Sequence, residues 1–229
     1  MTRLRCGDCP AREQAACAAL SDDERAQLAA IGQHKTLAAG ELLFAPGDDS
    51  ACATLISGAL KQVRTDADGV ERIVALIHPS GFVGELFGPS EVCEVRAVTD
   101  ARLCLFPRDA YGRMAADNPR LAMGVARRAL KSSAETRALL DLIGRRRADA
   151  RVAGLILALA DAAGSEPCAP ADRFDLPLSR GDMAALLGTT IETVSRQLGA
   201  LEARGLIQRD GRRTLVIRDA AGLAMVAGD

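Results

Sequence analysis

A chain of 229 residues, 48% of them hydrophobic, can bury a core as one large domain or two smaller ones. A formal net charge of −1 selects no partner, and 3% aromatic content without Trp argues against binding single strands on stacking platforms. No apolar run reaches about 18 residues and none follows Arg3 and Arg5, so no membrane partner, membrane span or secretory signal is expected and the protein is placed in the cytoplasm.

Charge divides unevenly along the chain. Residues 1–116 carry 12 basic and 16 acidic side chains, whereas residues 117–229 carry 17 and 14, so the more basic surface belongs to the second half. Four segments are expected: a cysteine-rich tail at 1–20, a domain at 21–117, a long helix at 118–146 and a second domain at 147–229.

The tail holds Cys6-x2-Cys9-x7-Cys17. In a reducing compartment an odd total of seven cysteines speaks against structural disulfides. Three clustered thiols with one distant partner suit an iron–sulfur cluster, and zinc would accept the same sulfurs. Arg3, Arg5 and Arg12 stand near enough in sequence to offset a cluster's negative charge, or they are solvated. Residues 21–34 read as a helix capped by Ser21, with acidic residues in its first turn and Leu28 and Ile31 on one side.

From about 36 to 107, short apolar runs alternate with Gly and Asp turns, which predicts an antiparallel β-roll. Asp66–Gly69 is a hairpin turn, and Gly40, Gly47, Gly58, Gly81 and Gly84 are expected at bends that need positive φ. Cys52 and Cys168 read as buried apolar residues, and His34 and His78 as structural or surface groups.

At Asn118-Pro119 the pattern changes to one long helix over roughly 119–145. A strict heptad seam would run Leu121, Val125, Arg128, Ser132, Glu135, Leu139 and Leu142, apolar at its ends and polar in the middle. Another stripe passes through Ala129, Thr136 and Ile143. The helix either packs on its own domain or forms a parallel homodimer seam weakened at its centre. A further helix follows over 148–163, then a Pro-rich loop.

The segment LSRGDMAALLGTTIETVSRQLGALEARGL then reads as helix, turn, helix. Ser179 caps the first helix, Gly188 turns, Thr189 or Thr190 caps the second, and Gly205 stops it; LIQRD and TLVIRD form a wing around Gly211. At about 100° per residue, Val194, Leu198 and Leu201 face the core, while Glu192, Ser195 and Arg196 share the other side with Gly199. Such a face can read a major groove: Arg on guanine, Glu on cytosine, Ser on base edges or phosphate. Arg180, Thr190 and Thr193 border it. No Ser–His–Asp set, Walker loop or metalloprotease motif is visible, so the chain is not read as an enzyme.

Thr190-Ile191-Glu192-Thr193-Val194-Ser195-Arg196 after a Gly turn, preceded by a Gly-bent β-roll and a long helix, resembles the Crp/Fnr transcription regulators over essentially the whole chain. The fold implied is α+β: an N-terminal antiparallel β-roll of the cyclic-nucleotide-binding type, a long dimerisation helix and a C-terminal winged helix-turn-helix. The reading helix is similar to the Fnr type, which implies a double-stranded palindrome close to TTGAT-N4-ATCAA, a homodimer with its reading helices about 34 Å apart, and RNA polymerase as partner. The resemblance of CGDCPAREQAAC to the oxygen-sensing Fnr branch implies a [4Fe–4S] cluster on Cys6, Cys9, Cys17 and a fourth cysteine late in the roll, matched by Cys104, with Cys93 as the other candidate. Gly84-Glu85-Leu86 matches the nucleotide-binding members. However, Glu91 and Val92 fall where those members clamp the cyclic phosphate, so no cyclic nucleotide is expected. A heme-binding, zinc-stabilised or thiol-redox regulator of the same family is the alternative.

Overall fold

A computed structural model describes residues 2–4, 6–7, 9–88, 91–164, 171–211 and 213–228. The expectations for Arg5 and Cys168 fall outside these residues, as does the side chain of Arg3. The chain forms two compact units, Met1–Thr136 and Arg137–Asp229, and the division falls inside the long helix.

In the first unit, β1 (Thr2–Arg3) precedes the tail, which closes with a 3-10 turn at Ala16–Ala19. Helix α1 (Asp22–Ile31) starts in a capping box: Ser21 Oγ accepts from the Glu24 N–H while Glu24 accepts from the Ser21 N–H. Strands follow: β2 (Gln33–Leu37), β3 (Leu42–Phe44), β4 (Ala51–Ser57), β5 (Leu60–Thr65), β6 (Glu71–Ile77), β7 (Phe82–Val83), β8 (Glu94–Ala97) and β9 (Ala101–Pro107). All pairings are antiparallel, in one sheet ordered β1-β2-β9-β4-β7 and another ordered β3-β8-β5-β6. Between them lies a core that includes Leu37, Phe44, Leu55, Leu60, Val83, Val95 and Leu103.

The first sheet has a second buried face. Along β9, Leu103 and Leu105 join the core between the sheets, while Cys104 and Phe106 belong to a separate cluster with Leu4, Leu28, Cys52, Tyr111 and Leu121. The period of two along a strand makes this division. Helices α2 (Arg108–Asp117) and α3 (Pro119–Gly144) complete the cluster. As expected, Asn118 caps α3, its Oδ1 accepting from the Arg120 and Leu121 N–H groups at 2.9 and 3.1 Å.

Bends follow the glycines with one exception. Gly40, Gly47, Gly58 and Gly84 take positive φ, but Gly81 does not; Ser80 occupies the left-handed region instead at φ 72°. Gly81 is required by crowding, since a Cβ there would meet Ile77 at 2.4 Å.

The second unit contains α4 (Ala148–Ala163), β10 (Arg173–Asp175), α5 (Arg180–Leu187), α6 (Ile191–Ala203), β11 (Ile207–Asp210), β12 (Thr214–Ile217) and α7 (Ala220–Ala227). Its strands form a small antiparallel sheet ordered β10-β12-β11. Ile156 and Leu159 of α4, Leu187 of α5, Leu198 and Leu201 of α6 and Leu223 of α7 are all buried. No helix among the described residues is long and apolar enough to cross a membrane.

Candidate metal centre and nucleic-acid interface

Two structures pin the tail on either side of its cysteines. Before Cys6, β1 pairs with β2, with Thr2 opposite His34. After Cys17, the capping box fixes the start of α1. The intervening stretch folds over the outer face of the first sheet, where β2 pairs with β9 so that His34 lies opposite Cys104. Cys6, Cys9, Cys17 and Cys104 therefore line one cavity, walled also by Leu4, Leu28, Ile56, Phe106 and Tyr111. Tyr111 is 1% exposed and packs its ring against Phe106 and Phe82 at centroid distances of 5.1 and 5.5 Å.

The other candidate, Cys93, is placed elsewhere. It sits just before β8, where Val95 and Ala97 point into the core between the sheets. Its charged neighbours are Glu91, Arg64 and Glu85. The sheet's alternation thus brings Cys104, and not Cys93, to the tail cysteines. Cys52 is buried as expected, with no exposed surface.

The electrostatics of the cavity come chiefly from burial. Burial pushes the Cys104 thiol up to about 12, and the charges of Cys9, Cys6 and Cys17 add to the shift. Burial also raises Cys6 and Cys17, against the opposing pull of Arg25. Arg12 hydrogen bonds to Asp22 at 3.1 Å and Gly7 O at 3.4 Å. Sequence reading missed Arg25. It lies on α1, three residues after Asp22, and passes for part of a helix's wet face. The structure instead leaves it 7% exposed, lining the cysteine cavity. The signal available was its position one helical turn before Leu28.

The donor set is four sulfurs with apolar walls, a composition that suits a soft metal or an iron–sulfur cluster. Among the described residues no three His, Cys, Asp or Glu side chains converge on a point that one metal ion could occupy. By their chemistry the residues present suit either group, a zinc ion or an iron–sulfur cluster.

At the phosphate-clamp position of the roll, Glu91 is 3% exposed and accepts from the Cys93 N–H at 3.1 Å. Burial and Glu85 both raise it, whereas the Cys93 and Val92 N–H groups oppose them. The nearby Arg96 is engaged with Glu94 and with Gly40 O. The carboxylates of Glu91 and Glu85 stand in this region, and Arg96 is already engaged.

In the second unit, Ser179 and Asp182 form a capping box at the start of α5, putting Arg180 on its first exposed turn. Gly188 ends α5 in the left-handed region at φ 59°. Thr190 caps α6 by accepting from the Thr193 N–H at 3.3 Å. Val194, Leu198 and Leu201 are buried, while Glu192 and Arg196 are exposed and Ser195 and Gly199 half-buried. Nothing lies within 4 Å of a Cβ built on Gly199, so the polar face is open to a close approach. Arg196 donates to Thr193 Oγ1 at 3.4 Å, and among the described contacts no ion pair joins it to Glu192. The ordinary i,i+4 surface pair is thus not formed, which leaves both groups for bases or phosphates.

The long helix departs from the expected seam. Leu121 is fully buried among Leu28, Tyr111 and Ala115 of its own unit, and Leu142 is 5% exposed and packs over Gly154. Val125 and Arg128 are half-buried. These residues serve intrachain cores, so the seam through Leu121 and Leu142 is not a free face. Ser132 and Glu135 are exposed and Leu139 is half-buried. The large exposed apolar side chains on this helix are Met123 (55%), Leu130 (70%) and Leu140 (64%).

Comparisons with known proteins agree with this arrangement. A cyclic nucleotide-binding domain model matches residues 34–118, and a Crp-like helix-turn-helix domain model matches residues 150–226. The transcriptional activator protein FnrL of Cereibacter sphaeroides is 36% identical over 230 residues, covering 98% of this chain and 92% of that protein. The nitrogen fixation regulation protein FixK of Bradyrhizobium diazoefficiens is 30% identical over 203 residues, covering 88% and 85%. Among solved structures, FixK2 from Bradyrhizobium japonicum superposes with a TM-score of 0.76 at 25% identity, covering 86% of this chain and 97% of that one.

Proposed function

The chain belongs to the Crp/Fnr family of transcription regulators, and from that premise we propose that it senses oxygen or a related redox signal through a [4Fe–4S] cluster on Cys6, Cys9, Cys17 and Cys104. The observation that carries this reading is that three tail cysteines and one strand cysteine line a single cavity. When bound, the cluster supplies one-electron chemistry and sensitivity to oxygen.

The chain's own residues do the rest. The four thiols hold the group, Tyr111 and Phe106 exclude water, and the 3-10 turn carrying Cys17 reports its state to α3. The cavity measures about 30 Å³, room for one or two waters, so binding a larger group moves the tail outward. The tail rests directly on α3: a Cβ at Gly124 would stand 1.9 Å from Ala16 O. Cluster occupancy is thereby tied to the helix that pairs two copies of the chain. The pair presents two α6 helices to a TTGAT-N4-ATCAA-like palindrome, with Glu192, Ser195 and Arg196 reading bases and Arg180, Thr190 and Thr193 flanking them. It controls genes of low-oxygen growth, as an activator through RNA polymerase. The proposal includes no cyclic nucleotide, because the resemblance sets Glu91, a buried carboxylate, where the nucleotide-binding members clamp the phosphate.

Direct thiol chemistry is the weaker reading. Reactive cysteines have depressed pKa values, whereas burial raises Cys6, Cys17 and Cys104. Purification without oxygen tests the proposal. Wild type and Cys93→Ser should show the broad sulfur-to-iron absorption of a cluster, bleaching in air, with about four iron and four sulfide per chain; Cys104→Ser should be colourless. A colourless wild type that contains zinc would refute the proposal, and a Soret band would replace it with heme.

A further inference from the structure

Arg25 makes an unusual set of bonds. One terminal nitrogen donates to Asp22 Oδ1 at 2.8 Å, and the other donates to Leu20 O and, at 3.5 Å, to Ala18 O. The guanidinium is therefore locked in position within the wall of the cysteine cavity. Its Nε–H is buried and has no partner. An unsatisfied donor on a charged group is costly to bury. Arginine cannot escape that cost by losing its proton.

The charge is offset locally only in part. Asp22 faces it from the same helix, but the Asp22 side chain is 89% exposed against 9% for Arg25. Water therefore screens the carboxylate far more than the cation. Arg12, the other cation on the cavity wall, has a side chain 38% exposed and donates to the same carboxylate.

We infer that Arg25 is the charge-compensating donor of the sulfur centre, its buried Nε–H and fixed cation serving a sulfur-rich group bound between Cys6, Cys9, Cys17 and Cys104. The inference rests on the cluster reading above. Four thiolates around a [4Fe–4S] core leave two net negative charges. A bound cluster that gave one electron to dioxygen, forming superoxide, would keep one net negative charge. A fixed cation favours the more negative state. Arg25 thus holds the cluster in its oxygen-free form and sets how readily oxygen converts it. Arg3, Arg5 and Arg12 need not supply that charge.

The test uses the full-length protein loaded anaerobically, with Arg25→Lys, Arg25→Gln and Arg25→Met. Iron and sulfide content, midpoint potential and the rate of bleaching in air are measured, with thermal unfolding of the metal-free chains as a folding control. Arg25→Gln and Arg25→Met should bleach about tenfold faster, with the midpoint lowered by about 59 mV, the one-electron equivalent of that factor. Arg25→Lys keeps the charge and should stay within about threefold of wild type. Equal potentials and bleaching rates in wild type and Arg25→Gln would overturn the inference, as would loss of the cluster from Arg25→Lys and Arg25→Gln alike, which marks a purely structural role. A wild type that takes up no iron would instead remove the cluster reading, and the inference with it.

Discussion

One position along β9 decides whether a cysteine can meet the tail. Cys104 and Phe106 face outward to Leu4 and Tyr111, whereas Leu103 and Leu105 face the core between the sheets. Moving the cysteine by one residue would remove it from the site. Cys52 belongs to the same outer cluster but is fully buried, and burial pushes its thiol from the usual range near 9 up to about 12, with Arg108 opposing. The folded state therefore holds the proton more tightly than the unfolded chain. Its contribution is fully present below about pH 9 and is lost as pH rises toward 12. Urea titrations of metal-free protein should show stability falling in that window by up to about 1.4 kcal/mol per pH unit from this thiol, a slope that Cys52→Ala reduces. An equal slope in the variant would show that Cys52 does not titrate differently in the two states. Much of this was legible in sequence: the three-cysteine spacing, the capping Ser21 and Asn118, and the polar face of α6 are all local patterns. Arg25 was not, because only the tail folding over α1 turns that side of the helix inward.

The junction between the tail and α3 shows a local preference overridden by packing. Within a helix, Ala is favoured over Gly by about 1 kcal/mol. Gly124 lies inside α3, yet a Cβ there would stand 1.9 Å from Ala16 O and 3.1 Å from its Cα. Both obstructing atoms are backbone, so they cannot swing aside. Gly124→Ala should therefore strengthen the isolated helix while lifting the 3-10 turn at Ala16–Ala19 and with it Cys17. The expected outcome is unchanged or slightly higher helicity, a cluster content well below wild type, and faster proteolysis of the tail. Wild-type cluster content in this variant would show that the turn has room to shift. Helix α3 could be read to within a residue from Asn118-Pro119 and the lack of any further Pro along it. Helices α2 and α7 could not. Pro107 at the start of α2 continued a strand without a polar cap, and α7 is apolar nearly throughout, so neither announced itself by periodicity. The same limit applied to the hidden role of Gly124, which only the crossing of two distant segments creates.

At the scale of the whole regulator, the proposed output has two chains place two α6 helices on one palindrome, which requires the face of α3 that pairs to be free in each chain. Leu121 is fully buried in its own unit, and Val125 and Arg128 turn partly inward with it. A seam through these residues would ask the same side chains to fill two cores. The outward side of α3 in the first unit instead carries Met123, Ala126, Leu130 and Ser133, spaced three, four and three residues apart as a pairing stripe requires. Met123 and Leu130 supply large apolar area, whereas Ala126 and Ser133 supply little, so the stripe is weak enough to be switched by a few kcal/mol. Glu135 lies two residues beyond Ser133, on a side that includes Arg128, whose charge it supports. Pairing through this outward stripe predicts that Leu130→Glu sediments as a monomer with or without oxygen and loses operator binding while keeping its cluster. Glu135→Ala should retain the wild-type dependence of association on oxygen. The opposite result, an air-stable dimer from Glu135→Ala and an unaffected Leu130→Glu, would return the seam to the Leu121–Leu142 register and require Leu121 to leave the core in which the free chain holds it.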